Sequence, residues 1–266
     1  MNLRNILYTP ISTSPYPKDF DLHDFREWAA SVYPQWIKKP VVLPDGNGNL
    51  IDLKKPHYVN SMQNHFGEKY AWDVTRGAHN GKFIDGFKER FPSLIHWFMK
   101  TFDFEEDDIQ GILFISMRPD PEKEQWHEDH DSFGYRFYLD LPDGNDNPLI
   151  LQPLKENFED KNSLYANLYK HDPEISINKY MYTEKFRKLI AQNKTLKAPY
   201  PEGLTAYYLN NNSSLHTVQW NKPHPDRLTG FIELKEDKPG LREKHIALIK
   251  KSVEKYKPYV VEWSPE

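Results

Sequence analysis

Five short runs in the middle of the chain are apolar, rich in β-branched and aromatic residues, and bounded by Pro, Gly, Asn or Asp. They are "GILFISM" (111–117), "YRFYLDL" (135–141), "PLILQPL" (148–154), "TAYYLNN" (205–211) and "RLTGFIEL" (227–234). Each predicts a strand, and several short strands in series predict a sandwich or barrel. The first hundred residues follow other rhythms. "DLHDFREWAASVY" spaces Phe25, Trp28, Ala29 and Val32 near a helical period behind an N-cap candidate, Asp21. Val41–Leu53 reads as a hairpin turning at Asp-Gly-Asn-Gly. In "KFIDGFKERFPSLIHWFMKTF", Phe83, Phe87, Phe91, Leu94, Ile95 and Phe98 mark a helix, and Pro92 suits the first turn of a second one. "LREKHIALIKKSVEKYK" predicts a terminal helix with Ile246, Ile249 and Val253 as its apolar stripe and lysines toward solvent.

These elements predict a mainly β protein with flanking helices, in one domain spanning 1–266. A mixed helical region (1–108) packs on a β-core (109–236), and a helix (240–257) closes the chain. Residues 156–199 interrupt the core. They contain a predicted helix, "TEKFRKLIAQNK", and read either as a lid over a site or as a surface excursion.

Composition narrows the function classes. The 266 residues suffice for a sizeable core. Charged residues make up 28% with a net charge of -4, which gives no footprint for nucleic acid or membrane binding. Cysteine is absent, which excludes disulfides, zinc–thiolate sites, iron–sulfur clusters and a cysteine nucleophile. The first residues hold no apolar run long enough for a signal peptide, and nothing approaches a membrane span, so a cytoplasmic protein is expected.

The chemistry concentrates in "QWHEDHDSFGYRFYLDL" (125–141). His127 and Asp129 are two apart, so on an extended backbone an imidazole and a carboxylate point to one side. A further histidine makes a two-histidine, one-carboxylate set, which leaves open positions on ferrous iron. A second H-x-D, His224 to Asp226, is followed only by His245 on the charged terminal helix. The first is followed by His216, flanked by strands in "NNNSSLHTVQW". Arg227 opens the last predicted strand, where a guanidinium suits a carboxylate with two parallel hydrogen bonds, and Thr229 shares its strand face. Arg136 shares a face with Tyr138, and either pairs with Asp140 or lines the site. His130 and Asp131 read as turn or supporting residues. Trp126 reads as core, and Trp220 as core or pocket wall.

His127, Asp129, His216 and Arg227, in that order, resemble the iron(II)/2-oxoglutarate-dependent oxygenases. Arg136 and Ser116 bring the pattern nearer to the aspartyl/asparaginyl β-hydroxylase-like branch, which includes free-proline hydroxylases. The resemblance covers about Gly111 to Leu234 and implies a double-stranded β-helix, a cupin-like jelly roll. It implies Fe(II) on His127, Asp129 and His216, and 2-oxoglutarate held by Arg227, with Ser116, Arg136, Thr229 and Tyr138 near it. O2 is the oxidant, with hydroxylation of an unactivated C–H bond and succinate and CO2 as coproducts. An amino-acid-like or peptide substrate fits acids and amides near the site (Asp131, Asn210, Asn211) and flat walls from Tyr135, Tyr207 and Tyr208. Two alternatives stand beside this: a non-catalytic jelly-roll binding protein, and a cupin-type metalloenzyme that does not use 2-oxoglutarate.

Overall fold

A computed structural model of the chain describes residues 2–25, 27–28, 42–44, 50–52, 69–73, 87–117, 126, 134–140, 147–156, 187–188, 190–219, 227–235 and 238–264. The strands are β1 (Ile6–Ser12), β2 (Val42–Pro44), β3 (Leu50–Asp52), β4 (Lys69–Asp73), β5 (Ile109–Met117) and β6 (Tyr135–Asp140). There follow β7 (Leu149–Pro153), β8 (Leu196–Lys197), β9 (Ala206–Leu209), β10 (Ser214–Val218), β11 (Arg227–Leu234) and β12 (Val261–Glu262). Seven of them form one sheet in the order β12-β1-β9-β6-β11-β5-β4, three form a second, β10-β7-β8, and β2 pairs with β3. The registered ladders are antiparallel. The described architecture is therefore mainly β, with helices beside the larger sheet.

All five predicted runs are strands, and the predicted hairpin is the β2–β3 pair, with Val42 opposite Asp52. Alternation along β6 shows how the layers are built. Tyr135, Phe137 and Leu139 join an apolar cluster with Phe98 and Phe102 from the helix Pro92–Phe102. Tyr138, between them, joins a second cluster with Leu149 and Leu151 of the smaller sheet. Successive strand side chains point to opposite faces, so the larger sheet has a helix side and an inter-sheet side, both apolar.

The β-core, expected from about Ile109 to Leu234, is wider at both ends. β1 lies between β12 and β9, and every one of its residues is buried. Proline lacks a donor for the ladder, so "ILYTPIS" reads poorly as a central strand. The register between β1 and β9 shifts after Pro10, which absorbs that defect. A second irregularity, between Ile6 and Tyr8, lies against β12. It breaks the alternation: Ile6 joins the helix-side cluster, while Leu7 and Tyr8 both join the inter-sheet cluster. The 156–199 connection also contributes to the core. Residues 187–188 and 190 are helical, within the helix predicted there, and Leu196–Lys197 pairs with β7 as β8.

Helix starts follow their caps. The Asp21 carboxylate accepts the Asp24 N–H at 2.7 Å, and residues 22–25 and 27–28 are helical. This is the N-cap geometry that satisfies a first-turn donor, and it seats Phe25 in the helix-side core with Trp28 packed against it. Pro92 opens the next helix, which ends at Asp103 in the left-handed region. The helix Leu241–Lys255 buries Leu241, Leu248, Ile249 and Ser252. Of the predicted stripe, Ile249 is fully buried and Ile246 and Val253 are half-buried, while Lys244, Lys250, Lys251 and Lys255 face solvent. No described helix is long and apolar enough to cross a membrane.

His245 lies on the terminal helix, as expected, and turns inward from its charged face. Its Nδ1 lies 2.6 Å from the Tyr135 hydroxyl, and its ring packs edge-on against Tyr135 and Tyr208. Burial, then the nearby Arg242 charge, lower its pKa to about 4. Burial and then Tyr208 raise that of Tyr135, so the phenol donates to a neutral imidazole. The unfolded histidine titrates near 6.5. Between those values the unfolded chain binds the extra proton. The contribution is therefore complete above pH 6.5 and falls as pH drops toward 4, by ~3 kcal/mol for this group. Urea titrations of wild type and His245→Gln at pH 7.5 and 4.5 should show a steeper acid loss for wild type. Equal losses would refute the buried neutral state.

Candidate functional site

The inter-sheet space carries the candidate chemistry. Leu7, Tyr8, Tyr138, Tyr207 and Leu209 approach it from the larger sheet, and Leu149 and Leu151 from the smaller. His216 is registered directly opposite Leu151. Directly opposed residues of an antiparallel pair share a face, so His216 stands on the inter-sheet side of β10. It is 5% exposed.

Arg136 enters the same layer from β6, where it is registered against Phe231 and Tyr207. Its guanidinium lies 4.8 Å from the Phe231 ring centroid, and Nη1 donates to the Tyr135 carbonyl at 3.0 Å. At 4% exposure, it places a permanent cation inside an aromatic layer. Tyr138, two residues on, stacks on Tyr207 with centroids 5.0 Å apart. Its hydroxyl is 3.4 Å from that of Tyr200, which accepts the Leu149 N–H at 3.0 Å.

Arg227 is the first residue of β11, registered with Met117. It holds the same side of that ladder as Thr229 and Phe231, by the two-residue period. Ser116 is registered with Leu228 instead. Its position continues the series of Ile112, which lies in the helix-side cluster. Thr229 is hydrogen-bonded within the larger sheet. Its hydroxyl donates to the Phe137 carbonyl at 2.7 Å, where the β11–β6 register shifts, so that proton is committed to the fold.

His127, Asp129, His130, Asp131, Trp220, His224 and Asp226 lie outside the described residues. Among the described residues no group of three or more His, Asp or Glu is placed to hold a metal ion. His216 is the one of the three expected ligands that lies among the described residues. Trp126, expected as core, is buried, with the Arg187 guanidinium 4.8 Å from its ring centroid.

Other expected neighbours serve the scaffold. The Asn210 side-chain amide donates to the carbonyls of Ile6 and Arg4, at 3.1 and 3.4 Å, and its oxygen accepts the Asn212 N–H at 3.1 Å. It ties the turn before β10 to β1 and is not a receptor for an amine. Tyr135 and Tyr208 belong to the helix-side cluster, so Tyr207 is the one of the three proposed walls on the inter-sheet face. Sequence reasoning missed Phe231 and Tyr200. Phe231 was within reach, because it continues the alternation of Arg227 and Thr229. Tyr200 lies in irregular chain after β8, and no local pattern marks it.

No protein-family model matches the chain. No curated protein matches it either. Among solved structures it is similar to a selenomethionine-labelled Fe(II)/α-ketoglutarate-dependent dioxygenase, TqaL. The identity is 8% over 82% of this chain and 92% of that one, with a TM-score of 0.31. A superposition that loose carries no argument about fold or activity.

Proposed function

We propose that the protein is an iron(II)- and 2-oxoglutarate-dependent oxygenase built on a double-stranded β-helix. It would hydroxylate an unactivated C–H bond of an amino-acid-like, peptide or similar small polar substrate. The observation that carries the reading is the strand order. The larger sheet runs β9-β6-β11-β5 on one side of β1, its β6 and β9 lie across the apolar layer from the β10-β7-β8 sheet, and the chain changes sheet at β6→β7, β8→β9, β9→β10 and β10→β11. That is the habit of a jelly roll. Within it His216 stands on the inner face of β10, and Arg227 holds the first position of β11.

In this reading His127, Asp129 and His216 hold iron(II), which requires the β5–β6 connection to bring the first two beside β10. With 2-oxoglutarate and O2 the metal supplies C–H oxidation, with succinate and CO2 as coproducts. Arg227 holds the distal carboxylate of 2-oxoglutarate by two charge-assisted hydrogen bonds. Arg136 sets a fixed positive charge in the same layer. Tyr138, Tyr207 and Phe231 keep water from the reacting carbon. No general base is required of the chain.

Arg227→Ala should weaken 2-oxoglutarate binding about a hundredfold, the scale of losing a pair of charge-assisted hydrogen bonds. Iron binding should be unchanged. Anaerobic titration of the visible charge-transfer band of the iron–2-oxoglutarate complex measures both. A variant indifferent to the substitution would favour a cupin-type metalloenzyme that does not use 2-oxoglutarate. A wild-type protein that binds neither would favour a non-catalytic jelly roll.

A further inference from the structure

A cavity of about 290 Å³ lies where four separate parts of the chain meet. The start of β1, the end of β7, the turn before β10 and the segment after β12 supply its walls. Leu7 and Leu154 line it and are buried, so its inner wall is apolar. Arg4 and Glu156 line it and are exposed, which sets two opposite charges at its mouth. Trp263, half-buried, lines it as well and packs on the inter-sheet cluster. His216, Arg136 and Tyr138 do not line it. It lies at the Leu154 end of β7, where the Leu154 N–H donates to the Ser213 carbonyl at 2.8 Å. The Tyr138 and Tyr200 hydroxyls gather at the other end of that strand, by Leu149.

The walls are tied together across the chain. The Ser213 hydroxyl donates to the Arg4 carbonyl at 3.0 Å. The Trp263 N–H donates to the Asn5 carbonyl at 2.8 Å, and the Asn5 side-chain amide donates to Ser264 Oγ at 3.5 Å. Lys194 Nζ lies 4.9 Å from the centroid of the Trp263 ring. The cavity is therefore formed before any ligand arrives, which limits the ordering cost of binding. One donor on its wall is unmatched. The buried Trp263 Nε1–H finds no acceptor among the described residues. A buried donor left unpaired costs stability, and a ligand oxygen is the partner that would satisfy it.

We propose that this cavity binds a free amino acid with an apolar side chain, at a site separate from the inter-sheet layer. The ligand side chain packs on Leu7 and Leu154. Its ammonium faces Glu156 and its carboxylate faces Arg4, with one carboxylate oxygen toward the Trp263 indole. A zwitterion answers both charges at the mouth. A plain carboxylate would be repelled by Glu156, and a plain amine by Arg4. An apolar interior with a few fixed polar groups is the usual form of a small-molecule site, and this volume is near the lower end of the range, about 300 Å³, which suits a ligand of amino-acid size. The inference does not rest on the oxygenase reading.

The test titrates the full-length, metal-free protein with L-leucine, N-acetyl-L-leucine and L-leucinamide, followed by saturation-transfer NMR. Leucine should bind. Blocking its ammonium or its carboxylate should each weaken binding about tenfold, the scale of one charge-assisted hydrogen bond. The penalty for acetylation should disappear in Glu156→Gln, and the penalty for amidation in Arg4→Gln. Trp263→Phe keeps an aromatic wall without the N–H and should weaken leucine severalfold. Circular dichroism melts check that the three variants keep the fold, and the comparison of the three compounds on wild type needs no variant at all. Failure of leucine to bind would overturn the proposal, as would equal affinity for all three compounds. Leucine bound at wild-type affinity by both Glu156→Gln and Arg4→Gln would place it elsewhere on the protein and overturn it too.

Discussion

His216→Ala should abolish iron- and 2-oxoglutarate-dependent release of succinate, by roughly a thousandfold or more, beyond the 10–100-fold loss typical for an outer partner of a metal ligand. The metal would be left with two protein ligands, and iron retained after anaerobic loading and desalting should fall in parallel. The fold should survive the change. His216 contributes to the β10–β7 ladder through its backbone, which alanine preserves. Circular dichroism melts of the metal-free proteins control for this. Succinate release at the wild-type rate by a folded His216→Ala protein would remove His216 from the site. Loss of activity together with loss of the folded baseline would instead mark it as a structural histidine.

Phe98→Ala should destabilise the protein by ~4 kcal/mol, near the middle of the range for removing a buried aromatic. Phe98 is 1% exposed, and its ring packs on Phe137 with centroids 4.7 Å apart. It links the helix Pro92–Phe102 to β6, the strand that carries Arg136 and Tyr138 on its other face. The substitution deletes buried area, leaves a cavity and removes one partner of an aromatic pair, itself about 1 kcal/mol. Phe98→Leu keeps most of the volume and should cost less than half as much. Lys251→Ala, on the exposed side of the terminal helix, should stay within ~0.5 kcal/mol of wild type. Urea denaturation at pH 7.5 gives all three. A loss under ~1.5 kcal/mol for Phe98→Ala would mean that the helix and β6 are not packed as described.

Local chemistry was legible where one residue type has one strong reason to be at its position. Asp21 caps a helix because a short carboxylate reaches the third N–H behind it. Pro92 opens a helix because an N1 residue needs no donor. The five apolar runs are strands, and His216 lies within another. Long-range pairing was not legible. The proline in Ile6–Ser12 argues against a central strand, and only β9 and β12 on either side show how a register shift accommodates it. The same shift pattern turns Leu7 and Tyr8 to one side, which no two-residue period can foretell.

The sequence determined which residues share a side. Arg136 goes with Tyr138, Arg227 with Thr229, and Tyr135 with Phe137, because side chains alternate along any extended strand. It could not determine which side faces the second sheet, since Tyr138 on one face and Tyr135, Phe137 and Leu139 on the other are all bulky side chains suited to burial. Tertiary packing decided that. The helix Pro92–Phe102 covers Tyr135 and Phe137, so Arg136 and Tyr138 are left to the space that His216 enters from β10. It also committed Thr229 and Asn210 to backbone carbonyls, because buried carbonyls must be paired and those side chains were the donors within reach.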